Sequence, residues 1–201
     1  MDSALSMSLA SLQMPMPHNT FALGYLRLLS QRMRSGRCVQ LGCGKGEQLR
    51  AIANSFRNDI ELWGLDDCKM MVAKARSLID RQKLVHMKAE YCAMTSLPLE
   101  RDSVQCVVSM EKIHQHSHSA VWKEIWRVLS SGGTFVVTDL YLVDPWDAPV
   151  SEATEHLVTR SEYLQFLEEL GFKDVRVLEE MESFDLAGRE VATFTITGVK
   201  P

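Results

Sequence analysis

A short segment near the start of the chain, RCVQLGCGKGE at residues 37–47, restricts the possible folds more than any other. Its first half has the apolar character of a buried strand, and its second half contains Gly42, Gly44 and Gly46. These glycines let the backbone take positive φ angles and let a ligand approach without meeting a Cβ atom. A helix that begins directly afterwards points unpaired N–H groups at the same place. The segment therefore predicts a strand, a turn and a helix that bind an adenosine-containing cofactor.

The spacing of the glycines indicates which kind of cofactor fits. A dinucleotide fingerprint has the spacing G-x-G-x-x-G and places a pyrophosphate on the helix N-terminus. Here Glu47 occupies the third glycine position, and its carboxylate would repel a pyrophosphate, which disfavours a nicotinamide dehydrogenase. A second predicted strand, residues 60–65, leads to Asp66, at a spacing of about twenty residues that suits hydrogen bonding to ribose hydroxyls. An uncharged or cationic cofactor tail is the better fit.

The rest of the chain alternates predicted strands and helices. Residues 104–110, VQCVVSM, are typical of a strand buried on both faces. Thr159 and Glu162 have the spacing of a capping box at the start of a helix, and Gly171 is predicted to end that helix. Asp67 is predicted to cap a different helix, the one after the second strand. The predicted helices include residues 21–33 and 119–129, and Gly132 and Gly133 are predicted to end the second of these. The other predicted strands are residues 83–88, 134–140, 173–178 and 191–199. This order predicts a mostly parallel sheet with helices on both faces and a final antiparallel hairpin.

Composition excludes several classes of function. With 201 residues the chain suits one domain, and a net charge of −4 gives no basis for binding a nucleic acid. No apolar run is long enough to span a membrane. The five cysteines include no C-x-x-C pair, which favours reduced thiols and a cytoplasmic protein. Residues 1–20 are interpreted as a flexible segment or a lid over the site, and residues 21–201 as the single domain.

Five motifs occur in order along the chain: LGCGKGE, WGLDDCKMMVAKAR, AEYCAMTSLPLERDSVQCVVSMEKIH, EIWRVLSSGGTFVVTD and YLQFLEELGF. Together they resemble the class I S-adenosylmethionine-dependent methyltransferases, especially the small single-domain branch that includes ubiquinone-biosynthesis-type enzymes. The resemblance implies an α/β fold, with a Rossmann-like seven-stranded, mostly parallel sheet, an antiparallel C-terminal strand and helices on both faces. It also implies S-adenosyl-L-methionine as the cofactor.

By that resemblance the cofactor is expected to contact four short stretches of chain. The glycine turn would line its methionine and ribose, Asp66 would bind the ribose diol, and Asp67 and Met70 would border the adenine. Glu90 and Tyr91 would lie near the adenine's edge, and Ser109 and Met110 near the methionine. The turn residues expected to take part are Gly42, Cys43, Gly44 and Gly46.

One position departs from the family's pattern. Members usually have Asp or Glu just before L-G-x-G, where it accepts a hydrogen bond from the cofactor's ammonium group, and this chain has Gln40. An amide oxygen can still accept that bond but loses the charge-assisted part. Two interpretations remain open, a tolerated change and a weakened cofactor site. Gln105 also replaces a common Asp, and because it lies within a strand it is interpreted as structural.

The segment IHQHSHS after the fourth strand contains the candidate catalytic bases. His114 and His116 are the proposed bases, since oxygen and carbon acceptors often need one. A metal site is a weaker alternative because alternate side chains share a face only on an extended segment, and a solvated loop is another. Trp122, Trp126 and Leu129 are spaced as the buried stripe of a helix and are interpreted as core.

Residues 141–156 connect the fifth strand to the next helix, where the family inserts its cover for the methyl acceptor. The segment is short here, and with Trp146 it predicts a pocket for a small molecule, or for one presented on a carrier protein. The leading function is methyl transfer to such an acceptor in secondary or cofactor metabolism. The alternatives are a cyclase-like reaction in the same fold and a non-catalytic subunit that binds a partner.

Overall fold

The structure is a computed structural model that describes residues 19–31, 33, 35–56, 59–143, 151 and 154–201. Most of the proposed N-terminal lid and Trp146, with most of the proposed acceptor cover, lie outside the described residues.

The chain folds into one sheet with helices on both faces. The helices are α1 Asn19–Ser30, α2 Glu47–Ala53, α3 Lys69–Gln82, α4 His118–Val128 and α5 Arg160–Leu170. The strands are β1 Gly36–Leu41, β2 Ile60–Asp66, β3 Met87–Tyr91, β4 Val104–Met110, β5 Leu129–Leu142, β6 Lys173–Glu180, β7 Phe184–Leu186 and β8 Arg189–Val199. A single turn of 3-10 helix, Ile113–Gln115, follows β4.

The strand order is β3-β2-β1-β4-β5-β8-β6, and the short β7 also pairs with β8. Strands β1 to β5 are mutually parallel, whereas β8 runs antiparallel to β5, β6 and β7. The predicted mostly parallel sheet and its antiparallel C-terminal strand are therefore confirmed, with β7 as an additional strand. The order reverses between β1 and β4, which leaves a crevice beyond their carboxyl ends, where open α/β sheets bind ligands.

Apolar side chains fill a layer on each face of the sheet. Helices α1, α2 and α3 pack on one face, where Leu26 and Ile52 are fully buried. Helices α4 and α5 pack on the other, against Phe135 and Ile196. Of the predicted stripe on α4, Trp122 and Leu129 are fully buried and Trp126 is partly buried, so the core interpretation is confirmed.

Several predicted boundaries are wrong, and in each case a distant contact decides the position. Gly132 and Gly133 lie within β5 rather than ending α4, because their backbones exchange hydrogen bonds with Lys200 beyond the end of β8. Strand β3 begins at Met87 rather than at residue 83, and it continues past residue 88 through Glu90 to Tyr91. Their backbones pair with the end of β2.

Asp67 does not cap α3, contrary to the prediction. The capping position is Cys68, which makes no side-chain cap hydrogen bond. The Asp67 carboxylate instead pairs with Lys112, 45 residues later in the chain. Helix α1 likewise ends at Ser30, before the expected Met33, and Gly36 begins β1.

The predicted capping box at the start of α5 is confirmed. The Glu162 amide donates to the Thr159 hydroxyl at 3.3 Å, and the Thr159 amide donates to the Glu162 carboxylate at 2.9 Å. Hydrogen bonds from Thr159 also lower the pKa of the Glu162 carboxyl. Gly171 ends the helix in the left-handed conformation, at φ 110°.

We expect the substitution Thr159→Ala to lower the free energy of unfolding by about 1 kcal/mol, because an alanine leaves an amide at the helix N-terminus without its acceptor. Thr159→Ser is the matched control, since it keeps the hydroxyl and should lose much less. Chemical denaturation of both variants measures the difference. Equal stability of the alanine and serine variants would contradict this role of the hydroxyl.

Candidate functional site

The predicted site residues meet at the carboxyl ends of the first four strands. Leu41 at the end of β1 pairs with Leu65 of β2 on one side and with Ser109 of β4 on the other. Asp66 at the end of β2 pairs with Tyr91 at the end of β3. The glycine turn leaves β1 between them. Four stretches that are far apart in sequence therefore border one crevice.

Three hydrogen bonds tie the glycine turn to β2, and a fourth ties the end of β2 to the start of α3. The amides of Gly42 and Cys43 both donate to the Leu65 carbonyl, at 2.8 and 3.1 Å. The Gly44 amide donates to one oxygen of the Asp66 carboxylate at 2.8 Å, and the Cys68 amide donates to the other at 2.9 Å. Asp66 is thus buried and fixed, and it joins the turn to the start of α3.

The three glycines of the turn serve different purposes. All have positive φ angles, 71°, 51° and 87° along the chain. A Cβ on Gly42 would lie 2.7 Å from the Lys112 side chain, and one on Gly46 would lie 3.2 Å from Ala75 of α3. A Cβ on Gly44 would meet nothing within 4 Å. Gly44 is therefore the glycine that keeps the surface of the turn open, whereas Gly46 permits close helix packing.

Cys43 is directed inward. It is buried, and a Cβ placed on Gly64 of β2 would lie 2.7 Å from the Cys43 Cβ and 2.8 Å from Leu49. Burial and the nearby Asp66 carboxylate raise the pKa of its thiol to about 12. The structure thus places the Cys43 side chain in the packing between turn, β2 and α2.

Two buried polar atoms beside the crevice have no hydrogen-bond partner. Gln40 is fully buried; its amide nitrogen donates to Gln48 at 3.0 Å, but its amide oxygen has no partner. The Ser109 hydroxyl on β4 is also fully buried and unpartnered. Buried polar groups without partners are costly in a folded protein. These two atoms are therefore candidates for contact with a polar ligand.

A charged cluster covers one side of the glycine turn. The Lys112 ammonium binds the Asp67 carboxylate at 2.9 Å and the Gln115 side chain at 3.1 Å. His116 approaches the other Asp67 oxygen at 3.1 Å. The contact with His116, followed by the hydrogen bond from Lys112, lowers the pKa of the Asp67 carboxyl well below its ordinary value. Sequence reasoning missed Lys112, because its partner Asp67 follows the end of a different strand.

The expected adenine side carries exposed apolar surface. Met70, at the start of α3, is 58% exposed, and Tyr91, at the end of β3, is 50% exposed. The Lys69 ammonium lies 5.1 Å from the centre of the Tyr91 ring. Glu90 is partly buried and Met110, at the end of β4, is buried. Met70 and Tyr91 could therefore cover a flat ring that enters beside Asp66.

His114, one of the two predicted bases, belongs to a buried hydrogen-bonded network. Its Nδ1 lies 2.6 Å from the carboxylate of Asp139 on β5. The second oxygen of Asp139 accepts from the Tyr163 hydroxyl of α5 at 3.0 Å, and that hydroxyl accepts from Trp122 of α4 at 3.1 Å. Asp139 and Tyr163 were missed by sequence reasoning. The available signal was an acidic residue inside the otherwise apolar run of the fifth strand.

His118 makes different contacts from the other two histidines of this segment. Its ring packs edge-on against Tyr163, with ring centres 4.1 Å apart, and 5.3 Å from the Phe166 ring. Burial lowers the pKa of His118 to about 4. His114 thus pairs with Asp139, His116 with Asp67, and His118 with aromatic rings. Within the described part of the chain, no group of three potential ligands is arranged to hold a metal ion.

Comparison with known proteins agrees with this arrangement. The family described as "Methyltransferase domain" matches residues 39–137, which run from β1 through the glycine turn, Asp66 and His114 to β5. The match supports, over these residues, the resemblance to class I S-adenosylmethionine-dependent methyltransferases. The fold predicted from the motifs and the family resemblance are both confirmed.

Individual relatives of the chain are distant. (+)-O-methylkolavelool synthase of Herpetosiphon aurantiacus is 28% identical over 151 residues, which cover 70% of this chain and 52% of the relative. The chain thus spans about half the length of this curated relative.

One similar solved structure is phosphoethanolamine N-methyltransferase 2 of Haemonchus contortus in complex with S-adenosyl-L-methionine. It superposes with a TM-score of 0.73 at 18% identity, and the superposition covers 90% of this chain and 56% of that one. The cyclase SpnF superposes with a TM-score of 0.67 at 18% identity, covering 89% of this chain and 80% of that one. At these identities the likeness establishes the shared fold.

Among the described residues, no helix is both long enough and apolar enough to cross a bilayer.

The low pKa of His118 predicts a specific pH dependence of stability. The folded protein resists protonation of this ring until about pH 4, whereas the unfolded chain takes up the proton near pH 6.5. The unfolded state therefore binds more protons between these values, and stability falls as the pH drops through this window. For pKa values of about 6.5 and about 4, the loss between pH 7.5 and pH 5 is about 2 kcal/mol.

We expect His118→Phe to lose about 2 kcal/mol less stability than the wild type between pH 7.5 and pH 5, because phenylalanine packs in the same aromatic surroundings and takes up no proton. Chemical denaturation at both pH values measures this. The control is His86→Phe, since the His86 side chain is exposed. An unchanged pH dependence in His118→Phe would show that His118 is not the group responsible.

Proposed function

We propose that the chain is an S-adenosylmethionine-dependent methyltransferase that acts on a small-molecule acceptor. The observation that carries the proposal is the glycine turn, open at Gly44 and fastened to the Asp66 carboxylate, at the point where the strand order reverses. This point lies inside the matched methyltransferase domain. An open turn beside a fixed carboxylate suits a nucleoside, whose ribose presents two hydroxyl donors.

The described residues fit S-adenosyl-L-methionine. Asp66 uses one hydrogen bond per carboxylate oxygen for Gly44 and Cys68, and since a carboxylate has about four acceptor positions, ribose hydroxyls can take the remainder. The unpartnered Gln40 oxygen suits the ammonium group of the methionine part. Met70 and Tyr91 supply apolar surface for the adenine. Each of these assignments is a proposal about this chain's own residues.

The bound cofactor would supply a methyl group activated by a sulfonium: the acceptor's electron pair forms a bond to the methyl carbon while the carbon–sulfur bond breaks and sulfur retains that pair. The protein's task is then mainly alignment and exclusion of water. Gly44 sets how closely the turn can approach the ligand. The buried Ser109 and Met110 close the floor of the crevice at the end of β4.

The proposed acceptor is small and can be presented on a carrier protein, as part of secondary or cofactor metabolism. The relative from Herpetosiphon aurantiacus is named for an O-methylated product, and a structural neighbour is named as an N-methyltransferase of phosphoethanolamine. Both names support a small-molecule acceptor. We propose His114 as the base that serves it, whereas His116, held by Asp67, orders the loop that covers the turn.

A cyclase-like reaction in the same fold is the second candidate, and the observation in its favour is the structural likeness to the cyclase SpnF. A non-catalytic subunit is the third, since Gln40 removes a charge from the expected ammonium contact. Affinity for S-adenosylhomocysteine separates the third candidate from the others. Transfer of labelled methyl separates the first from the second.

The test of the proposed function measures binding and transfer with the same set of proteins. The wild type should bind S-adenosylhomocysteine in calorimetry and transfer label from methyl-tritiated S-adenosylmethionine to the small-molecule fraction of a cell extract. Gly44→Ala should weaken binding at least about tenfold, or about 1.4 kcal/mol, because its methyl group enters the open surface of the turn. The matched control is Gly188→Ala, at the β7–β8 turn.

Gly188 is a matched control because it also has a positive φ angle, 81°, and a Cβ there would also meet nothing within 4 Å. Both substitutions therefore incur the same kind of backbone strain, about 1–2 kcal/mol, and only Gly44 borders the proposed site. Equal binding by the two variants would contradict the cofactor position. Binding without any transfer of label would favour the cyclase-like alternative.

We expect Gln40→Glu to tighten binding of S-adenosylhomocysteine by about tenfold, because a carboxylate forms a charge-assisted hydrogen bond with the ligand's ammonium group, which is about twice as strong as a neutral one. Glutamate places an oxygen where the unpartnered Gln40 oxygen lies, and the Gln48 amide can rotate to donate to the second oxygen. Calorimetry with the full chain measures the change.

Two controls make the Gln40→Glu result specific. Methylthioadenosine lacks the ammonium group, so its affinity should not rise. Gln105→Glu adds the same charge to the neighbouring strand β4. The Gln105 oxygen accepts from the Arg37 amide at 2.6 Å, near the opposite end of the sheet from the proposed site. The Gln105→Glu variant should therefore bind S-adenosylhomocysteine as the wild type does. No gain for Gln40→Glu with S-adenosylhomocysteine would place the ammonium group elsewhere.

A further inference from the structure

We propose that Asp139 is a positioning residue that holds His114 in the tautomer able to accept the methyl acceptor's proton. The inference rests on the proposed function and adds to it a role for Asp139, the last residue of the fourth motif, that neither the motifs nor the comparisons assign. It starts from the buried network of Trp122, Tyr163, Asp139 and His114, which joins α4, α5, β5 and the 3-10 turn after β4.

Trp122, the first member of this network, determines the direction of each of its hydrogen bonds. An indole N–H can only donate, so the Trp122 ring donates to the Tyr163 oxygen at 3.1 Å. The Tyr163 hydroxyl hydrogen is then free to donate to Asp139, at 3.0 Å. Burial raises the pKa of Tyr163, which keeps this hydroxyl protonated. Asp139 is therefore an acceptor on its Oδ2 side.

The other oxygen of Asp139 accepts from His114 twice. The His114 backbone amide lies 3.2 Å from Oδ1 and the ring Nδ1 lies 2.6 Å from the same oxygen. An ionised carboxylate offers no hydrogen to donate, so Nδ1 must carry the ring hydrogen. In a neutral imidazole the other nitrogen, Nε2, is then the one with a free electron pair. The geometry thus selects one tautomer of His114.

The position of the pair suits a role at the site. His114 follows the end of β4 by four residues, on the same edge of the sheet as Ser109 and Met110. The Glu111 amide donates to the Thr138 carbonyl at 2.7 Å, which holds the segment against β5. His114 is 7% exposed, and Asp139 is fully buried. The carboxylate is therefore shielded from water while the ring lies at the border of the core.

The proton that the acceptor loses passes to His114. As the acceptor's electron pair forms the new bond to the methyl carbon and the carbon–sulfur bond breaks, the acceptor releases one proton. Nε2 of His114 takes that proton, and the resulting imidazolium is stabilised by the negative charge of Asp139. General base catalysis of this kind contributes about 10²–10⁴-fold to a rate.

The first arm of the test needs no acceptor. Long-range ¹⁵N–¹H spectra of the full chain, recorded where the imidazole is neutral, should show a protonated Nδ1 and an unprotonated Nε2 for His114, with His114→Gln used to assign the signal. Asp139→Asn should shift the ring toward the Nε2–H tautomer, because an amide can donate to Nδ1. An unchanged tautomer in Asp139→Asn would overturn the proposal.

The second arm compares transfer of tritiated methyl to the small-molecule fraction of a cell extract. Asp139→Asn and His114→Gln should each slow transfer about 10²-fold, with binding of S-adenosylhomocysteine retained. The matched control is Thr138→Val, at the position next to Asp139 on β5. This substitution removes a buried hydrogen bond, 2.9 Å long, between Thr138 and Thr195. This control should keep both the tautomer and the transfer rate of the wild type.

The two arms separate failure of this inference from failure of the proposed function. If the wild type transfers no label, the proposed function fails, while the spectra still decide whether Asp139 selects the tautomer. If the wild type transfers label and Asp139→Asn is as fast as Thr138→Val, the pair is a structural contact between β5 and the 3-10 turn, and the positioning role is overturned.

Discussion

The hydrogen bonds of the Asp66 carboxylate are the interaction on which the rest of the site depends. One oxygen accepts from the Gly44 amide in the turn after β1, and the other accepts from the Cys68 amide just before α3. A buried carboxylate is stable only when its oxygens have donors, and these two amides meet that need. The same bonds fix the positions of the turn and of α3 relative to β2, so one side chain sets the shape of the crevice.

The sheet topology explains why a small set of contacts is enough. Strands β1 and β4 are neighbours although more than sixty residues separate them in sequence, and the chain leaves them in opposite directions. The glycine turn covers one wall of the resulting crevice and the segment from Met110 to His114 forms the other. Asp67 bridges the walls through Lys112 and His116. The proposed cofactor and the proposed base thus lie on opposite walls of one crevice.

Local patterns predicted the parts of the structure that local physics controls. The capping box of Thr159 and Glu162, the buried run of β4 and the inner stripe of α4 depend on residues within a few positions of each other, and the structure agrees with all three. The family resemblance added the expected cofactor and the four stretches of chain expected to contact it. The placement of Asp66 at the end of β2 also follows from spacing along the chain.

The contacts missed by sequence reasoning connect residues that are far apart. Gly132 was expected to end a helix, but pairing with Lys200 keeps it in β5. Asp67 was expected to cap α3, but an ammonium group from the next wall of the crevice binds it instead. Asp139 and Tyr163 meet only because β5 and α5 pack together. No spacing rule reveals such pairs, since their distance in sequence is set by the intervening elements.

A crystal structure of the full chain with S-adenosylhomocysteine shows whether the open turn at Gly44 and the fixed carboxylate of Asp66 hold the two sides of one nucleoside. We expect density for the ribose beside Asp66, with the methionine part extending along the turn toward Gln40. A crystal grown at saturating ligand in which the Lys112 side chain still covers the turn and the ligand is absent, or lies elsewhere, would overturn this position of the nucleoside.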